Sequence, residues 1–238
     1  MQQAGLAYPC GCTRKDIDAA YERLGYTHAR HGERPYPGTC RDGLHGKPAS
    51  AWRFYTELYW HRLQAKFQAK SAATAQQSRG SHPFLIADKH LHWHDRILGA
   101  QQQDVVTTVG DFALRRTDGL WVYQLAVVVD DADQGITHVL RGADLADNTP
   151  RQLLLQHALG LPAPLYMHTP LVLQADGEKL SKRYNAPGMV LDTPAQCLQA
   201  LQQSAQFLGL QPSSAADVDA ALADYTRQWA ARYSIQTL

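Results

Sequence analysis

The sequence predicts an α/β protein, a mixed body of strands and helices followed by a helical C-terminal third. Three observations carry this. The apolar, β-branched run Tyr123 to Val129 reads as a strand, the segment near Thr137 to Leu140 as a second, and the stretch after Thr149 as a helix. That order fits part of a parallel sheet with its crossover helix. From Leu85 to Val129 the chain is broken into short β-like runs, whereas from Asp192 onward helix signals follow one another.

Taken in order, the first element is Ala51 to Ala69, where Trp52, Phe54, Tyr55, Leu58, Tyr59, Leu63 and Phe67 fall roughly at helical spacing without Gly or Pro, predicting one amphipathic helix. Ala69 to Ser81, rich in Ala, Gln and Ser, reads as a flexible connector. Arg116-Thr117-Asp118-Gly119-Leu120 joins two predicted strands, Phe112 to Leu114 and Trp121 to Val129, because the Asp-Gly pair supplies the positive φ of a tight hairpin. Thr149 as cap, Pro150 at the first helical position and Gly160 before Pro162 bound a helix over 150–159. The same syntax recurs at Asp192-Thr193-Pro194, with Leu198, Leu201, Phe207 and Leu208 as the expected buried face and Gly209 as the stop. A last helix is expected from about Ala215 to Ala231.

Composition narrows the class. The 238 residues are 45 % hydrophobic, enough for a real core, and 23 basic against 22 acidic residues leave no general polyanion-binding surplus. No apolar run approaches the roughly 18 residues that span a bilayer, and Met1 to Leu6 lacks the blocks of a secretory signal. The expectation is therefore a cytoplasmic protein without a membrane partner, in which the four cysteines are not paired as disulfides.

The segment Gly177-Glu178-Lys179-Leu180-Ser181-Lys182-Arg183 carries the first chemical signal. Two ammonium groups on a Gly-led loop can close over a triphosphate and stabilise charge that builds as pyrophosphate leaves. Alone, a K-x-S-K loop is as readily a solvated basic surface. Its context is more specific: Tyr123-Gln124-Leu125-Ala126-Val127-Val128-Val129-Asp130-Asp131, then Gly135-Ile136-Thr137-His138-Val139-Leu140-Arg141-Gly142-Ala143-Asp144-Leu145, then Leu171-Val172-Leu173 ahead of the loop. Over about 110 to 183 this order resembles the catalytic core of class I glutamyl- and glutaminyl-tRNA synthetases. The resemblance implies an incomplete Rossmann-like catalytic domain with a zinc-binding insertion and a helical tail. It also implies ATP as substrate with Mg2+, Lys179 and Lys182 as the ATP-binding and catalytic lysines, and Tyr123 and Arg141 as contacts of L-glutamate. A guanidinium can clamp a carboxylate in two parallel hydrogen bonds, and a phenol can orient the amino acid. Read without that context, Tyr123 is a half-buried strand aromatic and Arg141 a structural partner of Asp144 or Asp130.

Cys10-Gly11-Cys12 and the Gly/Pro-rich knuckle Tyr36-Pro37-Gly38-Thr39-Cys40 supply three thiols, where a structural Zn2+ wants four ligands. Chemistry alone nominates His28 or His31 as the fourth, and small buried cysteines without metal are the alternative. The pattern resembles the glutamyl-queuosine tRNA(Asp) synthetase family, a shortened relative of glutamyl-tRNA synthetases, which implies the set Cys10, Cys12, Tyr36 and Cys40. Cys197 reads as core, and His82, His90, His92 and His94 as structural, with His92 and His94 on one strand face.

Only 55 residues follow Arg183, too few for the anticodon-binding region of ordinary glutamyl-tRNA synthetases. The resemblance thus implies activation of glutamate and its transfer to the queuosine base of tRNA(Asp). The expected organisation is a zinc knuckle over 1–48, a helical insertion and connector over 49–95, the second half of the catalytic core over 96–185 and a helical tail over 186–238. The chain contains no His-x-Gly-His-like segment, with which the family holds ATP at a helix start. Residues 1–238 by themselves are therefore expected to activate glutamate poorly, and a non-catalytic paralogue that binds tRNA or a protein partner is the alternative.

Overall fold

The computed structural model describes residues 1–25, 35–73, 84–87, 89–174, 177, 179–180 and 188–233, apart from the side chains of 69–73. In chain order the elements are β1 (Ala7–Cys10), α1 (Arg14–Arg23), β2 (Ala51–Phe54), α2 (Thr56–Ala73), β3 (Phe84–Ala87), β4 (His90–Asp95), β5 (Gly99–Gln103), β6 (Ala113–Arg115), α3 (Tyr123–Asp133), β7 (His138–Gly142), α4 (Thr149–Leu159), β8 (Leu165–Thr169), α5 (Pro194–Phe207) and α6 (Val218–Tyr233). Two compact units result. The first contains Met1–Asp95, Gly99–Val139 and Asp147–Tyr166, and the second Arg96–Leu98, Leu140–Ala146 and Met167–Leu238.

The first unit is the α/β body. β1, β2 and β6 form an antiparallel sheet in which Cys10 faces Ala51 and Trp52 faces Arg115. A second sheet runs in the order β3-β4-β8-β7 with β5 also paired to β4, and β4 meets β8 in parallel at Asp95 and Tyr166. Its core gathers Phe54, Tyr59, Trp60, Leu63, Phe84, Leu91, Val105, Leu114, Val128 and Leu153 to Leu155. β7 and β8 run on by chain continuity into the second unit.

Several local expectations are corrected here. The predicted helix over 51–69 is a strand followed by a helix, because Ala51–Phe54 is hydrogen-bonded between two neighbours and the helical turn starts only at Thr56. The main-chain N–H of Thr56 donates to Asp111 Oδ1 at 3.0 Å and its hydroxyl to the Gly110 carbonyl at 2.6 Å, so a residue far along the chain sets the helix start. The helix then continues through Ala73, taking in the start of the expected connector, whose remainder lies outside the described residues.

The predicted strand Tyr123–Val129 is the helix α3. The hairpin turn itself forms: Arg116 N–H donates to the Leu120 carbonyl at 2.8 Å, and Gly119 has φ 85°. Its second arm, however, ends after the bridge from Trp121 to Arg115. β-branched valines favour strand only weakly, and packing against α4, with Val128 buried, overrides that preference. α4 begins one residue earlier than its capping signal suggested. Asn148 holds the cap position without a side-chain cap bond, its Oδ1 being taken by Gln124 Nε2 at 2.8 Å, and Thr149 is already helical and fully buried.

In the second unit α5 and α6 pack through Ala205, Leu210, Ala221 and Tyr225, with Leu198, Leu201, Leu208 and Trp229 at the margin. Thr193 caps α5 as the Asp-Thr-Pro signal foretells, and Gln196 completes a reciprocal capping box that this signal did not anticipate. Phe207, expected on the buried face, is 52 % exposed. The packed stripe instead runs through positions 198, 201, 205 and 208, a spacing that leaves 207 on the outer side.

Candidate functional site

The cysteine knuckle is assembled from three pieces of the first unit. β1 delivers Cys10 by pairing with β2. Gly11 follows at a position where a Cβ would stand 2.7 Å from the Pro48 carbonyl oxygen, so only glycine lets the chain pass to Cys12. Thr13 then caps α1 with Asp16. Tyr36 arrives by a bridge to Gly110, whose φ of 61° and closeness to Pro35, 2.8 Å from a would-be Cβ, again require glycine.

The four expected ligands converge. The sulfur atoms of Cys10, Cys12 and Cys40 all lie within 4.8 Å of one another, and all three residues are buried. Tyr36 Oη is 3.4 Å from Cys10 Sγ and 3.2 Å from Cys12 Sγ, while Cys12 and Cys40 sulfurs are 3.5 Å apart. Zinc with bonds of about 2.3 Å to sulfur holds tetrahedral sulfurs about 3.8 Å apart, so this donor set fits the ion with small adjustments. The four cysteines are free thiols. His28 and His31 lie outside the described residues.

The surroundings tune these donors. Burial pushes the Cys12 thiol up to about 11 and holds the Tyr36 phenol well above its ordinary range. Burial acts on Cys10 too, but hydrogen bonds with Tyr36 and Arg53 outweigh it and leave that thiol below its usual value. Arg53 is the residue that sequence reasoning missed: its Nε donates to Cys10 Sγ at 3.3 Å while its guanidinium lies 3.7 Å from the centre of the Tyr36 ring. Nothing local marks Arg53, since only the β1–β2 register brings it to Cys10. His45 and Lys47 join Cys12 and Cys40 in lining a groove of about 340 Å³.

The residues expected to handle ATP and glutamate fall in both units. In the second, Lys179 bridges to Leu173 and its ammonium pairs with Asp144, which holds that carboxyl below the ordinary carboxylate range. Leu180 N–H donates to the Val172 carbonyl at 2.8 Å. Lys182, with Ser181 and Arg183, lies outside the described residues. Arg141, on β7, donates from Nε to Nε2 of His168 at 2.9 Å, and His168 is 1 % exposed. The buried imidazole of His168 thus anchors one edge of the Arg141 guanidinium. In the first unit, Tyr123 opens α3 and is 47 % exposed.

On β4, Leu91 and Asp95 are buried with Trp93 half-buried between them, and His92, half-buried, and His94, exposed, occupy the alternate positions. His82 lies outside the described residues. Cys197, expected in the core, is only partly buried, and its thiol lies 3.5 Å from the Leu191 carbonyl.

The family model for class I tRNA synthetases (E and Q), catalytic domain, matches residues 72–211. A glutamyl-Q tRNA(Asp) synthetase from Albidiferax ferrireducens is 56 % identical over 225 residues, which are 94 % of this chain and 69 % of that protein. The chain belongs to the glutamyl-Q tRNA(Asp) synthetase family. Further glutamyl-Q tRNA(Asp) synthetases, from Leptothrix cholodnii and Burkholderia cenocepacia, are 50 % and 47 % identical, with coverage of 96 % and 97 % of this chain and 68 % and 67 % of theirs. A glutamate-tRNA synthetase structure from Elizabethkingia anophelis overlaps 75 % of this chain and 32 % of its own at 25 % identity, with a TM-score of 0.46, too low to add to the assignment. Membership of the glutamyl-Q tRNA(Asp) synthetase family makes the protein a class I synthetase-type ligase and makes ATP use a family trait.

Proposed function

We propose that the protein serves ATP-dependent activation of L-glutamate as glutamyl-adenylate, followed by transfer of the glutamyl group to the queuosine base of tRNA(Asp). The 56 % identity to a glutamyl-Q tRNA(Asp) synthetase over nearly the whole chain is the observation that supports it most. In the first step a glutamate α-carboxylate oxygen attacks the α-phosphorus of ATP, and the bond to pyrophosphate breaks. Lys179 and Lys182 offset the charge that collects on the departing pyrophosphate, with Mg2+ accompanying the nucleotide. In the second step a hydroxyl oxygen of the queuosine cyclopentenediol attacks the glutamyl carbonyl carbon, AMP leaves, and the hydroxyl proton passes to solvent. Positioning and electrostatics supply the catalysis, without a side-chain nucleophile.

Arg141 and Tyr123 are assigned to glutamate, the guanidinium to a carboxylate and the phenol to orientation of the amino acid. His168 keeps the guanidinium in plane for that task. Cys10, Cys12, Tyr36 and Cys40 are assigned to a structural Zn2+, which supplies cross-linking of the N-terminal knuckle rather than reaction chemistry.

The test is glutamate-dependent exchange of pyrophosphate into ATP, followed by labelling of tRNA(Asp) with and without queuosine. Residues 1–238 alone, which contain no His-x-Gly-His segment, are expected to exchange poorly. The same residues joined behind a relative's segment carrying that motif are expected to exchange robustly and to label only queuosine-containing tRNA. Equal labelling of both tRNAs, or no exchange by the fusion, would overturn the proposal.

A further inference from the structure

Resting on the proposed RNA acceptor, we infer that the turn between β6 and α3 carries a stacking platform for an unpaired RNA nucleobase, built from Trp121 and Arg115. Trp121 is 61 % exposed, and so is its neighbour Leu120. A tryptophan carries more apolar area than almost any other side chain, and folding normally hides it. Its exposure is not the slack of a loose loop. Val122 N–H donates to the Leu114 carbonyl at 3.0 Å, Arg116 N–H to the Leu120 carbonyl at 2.8 Å and Gly119 N–H to the Arg116 carbonyl at 3.0 Å, and Trp121 itself bridges to Arg115. The backbone thus holds the indole outward.

The charges around the ring point to its partner. The Arg115 guanidinium carbon lies 5.6 Å from the Trp121 ring centre, within cation–π range, and Arg115 Nε is fixed by a 2.9 Å bond to the Gly119 carbonyl. Arg116, 61 % exposed, stands beside it and forms an ion pair with Asp118, which also accepts from Leu120 N–H. Two guanidiniums against one carboxylate, next to a flat aromatic face, complement a base with its phosphates. One indole and one leucine are far smaller than the roughly 800 Å² that each side of a stable protein interface buries, but match a single base. A base inside a duplex has both faces covered, so the platform selects unpaired ones, as in a hairpin loop. Tyr123, assigned above to glutamate, is two residues along the same chain.

The experiment measures binding of the purified chain to a short RNA stem closed by an unpaired loop and to the same stem as a blunt duplex. The parent is expected to prefer the hairpin. Trp121→Ala is expected to weaken hairpin binding about tenfold while leaving duplex binding unchanged, and Trp121→Phe, which keeps an aromatic face and the turn, to stay within about threefold of the parent. A parent that prefers the hairpin with Trp121→Ala binding it equally well overturns the platform and leaves the RNA acceptor standing. A parent that does not distinguish loop from duplex overturns both. Equal losses by the Ala and Phe variants also overturn the platform, since stacking would then not be the interaction removed.

Discussion

Cys10, Cys12, Tyr36 and Cys40 meet because three separate constraints agree: a strand register, a glycine with no room for a Cβ and a turn that donates the Cys40 N–H to Tyr36 Oη at 3.1 Å. Without an ion, three buried thiols and a buried phenol share one small space and satisfy one another only weakly, because sulfur is a poor hydrogen-bonding partner. With an ion, each donor gains a strong bond. Metal analysis of the purified protein should therefore find about one zinc per chain, lost on Cys40→Ser. A metal-free parent, or full zinc in that variant, would refute the site. Arg53 adds a charge-assisted contact to Cys10 from outside the proposed ligand set, the place an outer-shell partner of such a site would take.

At the scale of elements, Asp111 decides where α2 begins and how the knuckle is tied to it. Its carboxylate accepts from Thr56 N–H at 3.0 Å, from the Tyr8 hydroxyl at 2.5 Å and from Arg41 Nε at 2.7 Å, and its side chain has no exposure. Arg41, next to Cys40, also pairs with Glu57 in the first turn of α2. Removing the carboxylate would strand a partly buried guanidinium, a buried phenol and a helix-start N–H together. Asp111→Ala is expected to lower stability by about 3 kcal/mol or more, read from urea denaturation. A loss below about 1 kcal/mol would mean that solvent replaces those bonds at no cost, contrary to the burial.

At the scale of the molecule, the cysteine cluster and the α5–α6 hairpin belong to different units, each with its own core. Removing zinc with a chelator is therefore expected to raise amide hydrogen exchange in β1, α1 and β2 while leaving α5 and α6 as protected as before. Equal loss of protection in both would show that the protein unfolds as one cooperative body. No described helix is long and apolar enough to cross a membrane.

Features that rest on a residue's own conformational preference were legible from the sequence. These include the Asp-Gly turn at 118–119, the Thr193 cap, the stops at Gly160 and Gly209 and the spacing of the cysteines, since backbone sterics and local hydrogen bonds act within a few residues. Features set by distant partners were not. Tyr123–Val129 became a helix because α4 covers it, Ala51–Phe54 a strand because β1 and β6 flank it, and Arg53 a partner of Cys10 because strand pairing carries it across a gap of 43 positions. The chain by itself determined its family and the spacing of the three N-terminal cysteines. Only the tertiary structure decided which surface holds Trp121 out to solvent, because burial belongs to the packed molecule and not to any stretch of it.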